Sequence, residues 1–214
     1  MSLLSDIINN TEGLYHGDLK YYFKCLFNSR GANNPFHGIR HSCDVFIKCH
    51  DAIKYYLEAG RPTDLWTNRA LLISALFHDF NHPGRAGNDD LNLQFAIRAL
   101  KKSILPEDDR IIDVASKYIS LTEFGPNGHV WPAYTIEAQI LRDADISQVC
   151  SQAWIRLVLF GLSAEMGLSP EQMLKMQSEF LGKVSFETEW ARVRFGSAIK
   201  EKIAEAEELV KILS

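Results

Sequence analysis

Two short segments of the 214-residue chain contain four of its seven histidines. Residues 33–41 read NNPFHGIRH, and residues 77–84 read FHDFNHPG. The histidines concerned are His37, His41, His78 and His82. Asp79 directly follows the first histidine of the second segment. Imidazole nitrogens are good ligands for divalent transition metals, and a carboxylate adds charge and can bridge two ions. The two segments therefore predict a metal site.

A further carboxylate for such a site comes from LRDADIS, residues 141–147. Asp143 and Asp145 lie two residues apart on a predicted helix, so they point to different sides and at most one reaches the same metal. Asp79 ends an apolar stretch, where a buried carboxylate is costly without a cation or several donors. We interpret the remaining histidines as ordinary surface or hydrogen-bonded residues; they are His16, His50 and His129.

The segments that must position these residues are predicted to be helices. Apolar residues recur at spacings of three and four along nearly the whole chain. The predicted helical segments are 41–59, 64–79, 88–102, 106–121, 134–150, 151–166 and 188–213. No alternating pattern is strong enough to predict a sheet, and a loop is predicted at 123–132. We therefore predict an all-α fold, a single compact multi-helix domain over residues 1–214.

Two helix boundaries have local signals. At 166–172, MGLSPEQ combines Gly167 as a helix cap with Ser169 and Gln172 spaced as a capping box. In the first histidine segment, His37 and His41 are four residues apart, so they share one face if a helix begins at residue 37.

Composition excludes several classes of function. The net charge of −4 and the pI near 6.0 provide no positive field for nucleic acid, so we expect no nucleic-acid partner. No apolar run is long enough to span a bilayer, and we expect neither a signal peptide nor a membrane contact. The four cysteines form no CxxC pair, which indicates reduced, buried thiols in a cytoplasmic protein.

The ordered motifs resemble the HD superfamily of metal-dependent phosphohydrolases, in particular the catalytic domain of the 3′,5′-cyclic nucleotide phosphodiesterases. NPFHGIRHSCDV (34–45) is similar to that family's N-P-[FY]-H-N-x-x-H-x-x-D-V. HDFNHPG (78–84), followed by Asn88, is similar to its H-D-x-D-H-P-G-x-x-N. The resemblance covers about residues 33–190, with the intervening helices abbreviated.

The resemblance implies a ligand set for one or two divalent ions, which could be Zn, Mn, Mg, Fe or Ni. The implied ligands are His41, His78, Asp79 and Asp145. Asp79 would also bridge to a second ion, and a metal-activated hydroxide would attack phosphorus. His37 would be the general acid that protonates the leaving oxygen. His82 would be a second catalytic residue that lines the same pocket and bonds to the phosphate or the metal-bound water. Asn88 would be a substrate-binding residue.

The resemblance also implies how a substrate is held. In that family a glutamine and a phenylalanine three residues later grip the purine, and Gln177 and Phe180 have this spacing within MQSEFL. The expected substrate is a nucleotide phosphodiester, including a cyclic one. A nucleotide phosphomonoesterase on the same site and a non-catalytic metal- or nucleotide-binding sensor stay open as alternatives. A homodimer contact through the last helix also stays open.

The chain departs from the family pattern at identifiable positions. Gly38 stands where the pattern has Asn, and Asn81 stands where it has the second Asp. One extra residue lies between Gly84 and Asn88. No segment matches the family's acidic and double-histidine stretch before the last Asp. The residue that orients His37 and the presence of a second ion therefore stay open.

Overall fold

The computed structural model describes residues 3–85, 89–125 and 127–213. This part of the chain contains ten α-helices, which confirms the all-α prediction. The helices are α1 (Leu3–Ile8), α2 (Lys20–Phe27), α3 (Ile39–Glu58), α4 (Leu65–Phe77), α5 (Asp89–Ser103), α6 (Ile112–Ser120), α7 (Ile136–Ile146), α8 (Ser163–Met166), α9 (Pro170–Lys183) and α10 (Glu189–Leu213).

Shorter elements occupy segments that were predicted only in outline. The 3₁₀ turns at Pro106–Ile111 and Ser147–Cys150 adjoin α6 and α7. A π-helix runs over Ile155–Leu162, where the sequence predicted an ordinary helix. The predicted loop contains a hairpin of β1 (Phe124–Gly125) and β2 (Gly128–His129), paired antiparallel.

Side-chain caps explain where several helices begin. The Asp64 side chain accepts a hydrogen bond from the Thr67 amide at the start of α4, and Thr135 accepts one from Ala138 at the start of α7. The capping box of Ser169 and Gln172 is formed as predicted at α9. Gly167 ends α8 with a φ of +67°, a left-handed conformation that glycine adopts without steric cost.

Helix α4 lies at the centre of the first hydrophobic core. All ten of its residues from Asn68 to Phe77 are buried, and it packs against α3, α6 and α7. Its buried Arg69 pairs with Asp108, with Nη2 and Oδ2 2.6 Å apart. A helix that is buried on every side has no freedom to rotate or slide, so the residues at its C-terminal end are held in a fixed place.

A second, smaller core joins the π-helix to α9 and α10 around the buried Trp154. The site described below lies between the two cores. The cysteines are unpaired, as expected, but only Cys49 is buried. The prediction that all four are buried is wrong, because Cys25, Cys43 and Cys150 pack at the edges of the cores.

Candidate metal centre

Three helices bring four of the predicted residues together. His41 lies in the first turn of α3, and Asp145 lies near the end of α7. His78 caps the C-terminus of α4, and Asp79 follows it. Because α3 packs against both α4 and α7, the four side chains meet at one point. Each offers one ligand atom, and these atoms lie within 4.8 Å of one another.

The distances in this four-residue cluster fit a single cation. The Nε2 atoms of His41 and His78 are 3.1 Å apart. His41 Nε2 lies 2.9 Å from Asp145 Oδ1 and 3.1 Å from Asp79 Oδ2. His78 Nε2 lies 3.1 Å from Asp79 Oδ2 and 3.6 Å from Asp145 Oδ1. Ligands about 2.1 Å from one ion lie about 3.0–3.4 Å apart in octahedral or tetrahedral geometry, so the donor set suits a divalent ion.

The outer contacts of the two imidazoles differ. His78 Nδ1 lies 2.9 Å from the carbonyl oxygen of Ala75, and donation to that oxygen leaves Nε2 with a free lone pair. His41 stacks on Phe36 with 5.1 Å between ring centroids, and its Nδ1 is buried without a hydrogen-bond partner. A hydrogen bond therefore fixes the position of the His78 ring, and packing against Phe36 fixes that of the His41 ring.

The electrostatics favour positive charge at this point. Burial alone would lower the pKa of His41, but the carboxylates of Asp145 and Asp79 raise it above its usual value. Burial opposes ionisation of Asp145, yet hydrogen bonds from His41 and His78 hold its pKa well below the usual range. The two carboxylates thus favour a positive charge between the four side chains, which a bound cation would supply.

A three-residue cluster of His37, His82 and Glu165 lies beside the first. His37 Nδ1 is 2.6 Å from Glu165 Oε2. The other carboxylate oxygen, Oε1, accepts hydrogen bonds from the backbone amides of Phe36 at 2.7 Å and His37 at 3.0 Å. Burial would raise the pKa of Glu165. The hydrogen bond to His37, the charge of His37 and these two amides lower it instead. Glu165 is therefore the partner that orients His37.

Asn34 joins the two histidine segments. Its Nδ2 donates to the backbone carbonyls of His82 at 2.8 Å and His37 at 3.3 Å. Gly84 has a φ of +64°, and a Cβ there would lie 2.7 Å from Asn34 Oδ1. The close approach of the two loops therefore depends on glycine at position 84.

His82 is held as a neutral ring. Its Nδ1 accepts a hydrogen bond from the Gly84 amide at 3.1 Å, and its Nε2 lies 3.1 Å from Asn92 Nδ2. Burial lowers the pKa of His82 to about 4, and the charge of His37 adds to the effect. An uncharged imidazole suits a group that accepts hydrogen bonds or binds metal.

The two motif departures have local explanations. Gly38 is the N-cap of α3, and a Cβ there would lie 2.5 Å from the Asn34 carbonyl oxygen, so the asparagine of the family pattern does not fit. Asn81 has a φ of +62°, and its Oδ1 accepts from the Arg30 amide at 2.8 Å. Asn81 therefore shapes the loop.

His37 and His41 do not lie on one face of a single helix. Helix α3 begins at Ile39, so His37 precedes it. The condition for a shared helical face, a helix that begins at residue 37, is not met, because Glu165 binds the amides of Phe36 and His37 and Gly38 is extended with a ψ of −172°. The two rings still lie near each other, with centroids 6.0 Å apart.

Two cavities meet at this site. The polar cavity, of about 320 Å³, is bordered by both clusters and by Arg85, Asp89 and Asn92. Asp89 Oδ2 accepts from the Phe124 amide at 2.9 Å, which ties α5 to the hairpin. Burial raises the pKa of Asp89, and the charges of Asp79 and Asp145 raise it further.

The larger cavity, of about 610 Å³, is mostly apolar and shares His37, Phe124 and Asp145 with the polar one. Gln177 and Phe180 line it, as do His129 and Gln148. Phe180 packs against Phe124 with ring centroids 5.6 Å apart. Gln177 is buried, and its Oε1 has no hydrogen-bond partner. The two residues expected to grip a base therefore lie beside the clusters.

The remaining predictions have separate outcomes. Asn88 lies outside the described residues. Asp143 points away from the cluster, as predicted, and its carboxylate accepts from the amides of Glu187 at 3.0 Å and Thr188 at 2.7 Å, at the start of α10. Sequence reasoning missed Glu165, because it lies 128 residues from His37 in a four-residue helix without a recognisable motif.

No protein-family model matches this chain, and no curated protein matches it. Among the described residues, each helix is too short or too polar to cross a membrane.

Proposed function

We propose that the chain is a metal-dependent phosphohydrolase that cleaves a nucleotide phosphodiester, including a cyclic one. The observation that carries the proposal is the union of two clusters at one polar cavity. One cluster provides two imidazoles and two carboxylates at the mutual spacing of metal ligands. The other provides a histidine held by a buried carboxylate, which is the arrangement expected of a proton donor.

The donor set fits a resident divalent ion. His41, His78, Asp79 and Asp145 would hold it, and their nitrogen and oxygen donors suit Zn, Mn, Fe or Ni better than a site of oxygens alone would. A divalent ion bound there would lower the pKa of an adjacent water and neutralise negative charge on a phosphoryl group. Sensor proteins also hold metals, but a structural metal requires no oriented histidine beside it.

His37 is the proposed general acid. Its Nδ1 is bonded to Glu165, so Nε2 is the nitrogen left to donate a proton to the leaving oxygen. The carboxylate of Glu165 fixes the orientation of the ring. His82 lies beside His37, with 4.0 Å between ring centroids, and its neutral ring provides a polar wall of the same cavity.

The larger cavity supports the proposal that the small-molecule partner is a nucleotide. A planar base between Phe180 and the opposite apolar wall would gain from stacking and from burial of its faces. The unpartnered Gln177 Oε1 provides a hydrogen-bond acceptor beside it. Both cavities share His37 and Asp145, so one ester could reach the base site and the clusters together.

One assay tests the proposal. The purified protein, with Mn²⁺ or Mg²⁺, is incubated with cyclic nucleotides, nucleoside mono- and triphosphates, cyclic dinucleotides and bis-p-nitrophenyl phosphate. Asp79→Asn serves as the inactive variant, and Asp113→Asn, on the exposed face of α6, serves as the matched control. We expect diester cleavage that only Asp79→Asn loses. Cleavage of monoesters alone would instead support the phosphomonoesterase, and no turnover by folded, metal-loaded protein would contradict a phosphohydrolase.

Replacement of Gln177 tests base recognition. Gln177→Ala removes one hydrogen-bonding group, so kcat/KM for a nucleotide ester should fall about 2- to 12-fold. The value for bis-p-nitrophenyl phosphate should stay unchanged, since that ester has no base. An equal loss on both esters would exclude Gln177 from base recognition.

A further inference from the structure

The three-residue cluster is a donor set in its own right. His37 Nδ1 and Glu165 Oε2 are 2.6 Å apart, and His82 Nδ1 is 3.8 Å from the same oxygen. The side chain of Glu165 is 1% exposed and that of His82 is 7% exposed, whereas His37 is 22% exposed at the cavity. Two imidazoles and one carboxylate around a reachable cavity wall are a common ligand set for zinc.

We infer that His37, His82 and Glu165 form a second, weaker site for a transition metal such as Zn²⁺, and that its occupation inhibits the enzyme. The ligand atoms lie within 4.8 Å of one another, and none of them belongs to the four-residue cluster. The site would prefer Zn²⁺, Co²⁺ or Ni²⁺ to Mg²⁺ because two of its three donors are imidazoles. The inhibitory consequence rests on the proposed function, but the binding site does not.

The charge of the polar cavity attracts a second cation. Four carboxylates border it, against the single guanidinium of Arg85; they are Asp79, Asp89, Asp145 and Glu165. A divalent ion on the four-residue cluster would still leave an excess of one negative charge. In a partly enclosed cavity that excess is screened less than on an open surface, so a second divalent ion remains favoured.

Local contacts explain why this site is the weaker of the two. The hydrogen bond between His37 and Glu165 must be given up, and these atoms must separate from 2.6 Å to about 3 Å. The Gly84 amide donates to His82 Nδ1 at 3.1 Å, and this hydrogen bond must also break before that nitrogen can bind a metal. These contacts compete with the metal, so occupation requires a higher metal concentration than the first cluster does.

Occupation would remove the general acid. A metal on His37 Nδ1 takes the place of the proton there, which leaves for solvent. The ring then keeps one proton, on Nε2, and no longer has the acidity of an imidazolium. Glu165 is at the same time withdrawn from its role as the orienting partner. Excess zinc should therefore slow turnover without displacing the first ion.

Cobalt binding to the double variant Asp79→Ala/Asp145→Ala tests the inference, because this variant lacks both carboxylates of the first site. Co²⁺ is followed by its visible absorption, and bound metal is counted by mass spectrometry. We expect one equivalent to remain bound. Adding Glu165→Gln should weaken binding by at least about tenfold, since the loss of even an outer partner of a metal ligand has that effect. Adding Glu171→Gln, at an exposed position of α9, should change nothing.

Absence of Co²⁺ binding up to millimolar concentrations would overturn the inference, as would binding that Glu165→Gln leaves unchanged. If the double variant does not fold, Zn²⁺ is titrated into Mn²⁺-loaded wild-type and His82→Ala proteins. A second equivalent that only the wild type binds supports the site, and equal binding contradicts it. These readouts need no turnover, so an inactive protein that binds this second equivalent would contradict the proposed function alone.

Discussion

The two clusters lie side by side but are held in different ways. The four-residue cluster belongs to the ends of helices, with His41 in α3, His78 at the C-terminus of α4 and Asp145 in α7. The three-residue cluster comes from the loops before α3 and after α4, and from the short helix α8. Helix packing positions the first, whereas hydrogen bonds of Asn34 and Glu165 position the second.

Because they are held differently, the two clusters suit different roles. Donors on packed helices cannot move far without disturbing a core, which suits a cluster that must keep a metal. Donors on loops held by polar contacts can adjust by tenths of an ångström, which suits groups that transfer a proton. Substitutions should therefore separate the two tasks.

The largest effect should come from the paired aspartates of α7. Asp145→Ala removes a proposed metal ligand, and we expect loss of bound metal and a fall in kcat/KM of about 10³-fold or more, since metal stabilisation is worth several kcal/mol. Asp143→Ala is the matched control. It should keep the metal but destabilise the fold by about 1–3 kcal/mol, because two amides at the start of α10 lose their acceptor. Metal loss in Asp143→Ala alone would reverse the assignment.

His37→Ala should separate proton transfer from metal binding. Metal content, measured by mass spectrometry, should match the wild type. Turnover of an alkyl ester should fall about 10²- to 10⁴-fold, because its leaving oxygen needs a proton. A p-nitrophenyl ester has a good leaving group and should lose much less. Equal losses on the two esters would exclude His37 as the acid.

Glu165→Gln should give a smaller effect in the same direction. The amide keeps the shape but replaces the carboxylate that binds His37 Nδ1, so we expect a loss of activity of roughly tenfold or more, below that of His37→Ala. The loss should also be greater for alkyl than for p-nitrophenyl esters, which a merely structural change would not produce. A variant as active as the wild type would mean that Glu165 does not orient the acid.

The smallest effect concerns stability in metal-free protein. The folded-state pKa of His82 is lowered from 6.5 to about 4, chiefly by burial. Between these values the unfolded chain binds a proton that the folded chain does not, so the free energy of unfolding falls as pH drops. Denaturant unfolding of the wild type and His82→Asn should show a weaker pH dependence in the variant. Parallel curves would show that His82 does not contribute.

The parts of the site borne by helices could be predicted from the sequence. The spacing of apolar residues predicts α3, α4 and α7, and the adjacent His78 and Asp79 after an apolar helix predict delivery into a pocket. Asp143 and Asp145 point to different sides because a helix turns about 200° over two residues. In each case the relevant geometry is local, so neighbouring residues encode it.

The loop-borne parts could be predicted only in outline. Glu165 reaches His37 across 128 residues, and this contact depends on how the π-helix and α8 pack against the loop before α3. Gly161 in the π-helix has close contact with that loop, since a Cβ there would lie 2.8 Å from the Pro35 carbonyl oxygen. No periodic pattern encodes a contact that two distant backbones make in this way.

X-ray diffraction tests directly whether the four-residue cluster binds a divalent ion. Crystals of protein loaded with one equivalent of Zn²⁺ are measured on both sides of the zinc absorption edge. We expect an anomalous peak about 2.0–2.2 Å from donor atoms of His41, His78, Asp79 and Asp145. A peak elsewhere, or no peak in a folded protein, would contradict it.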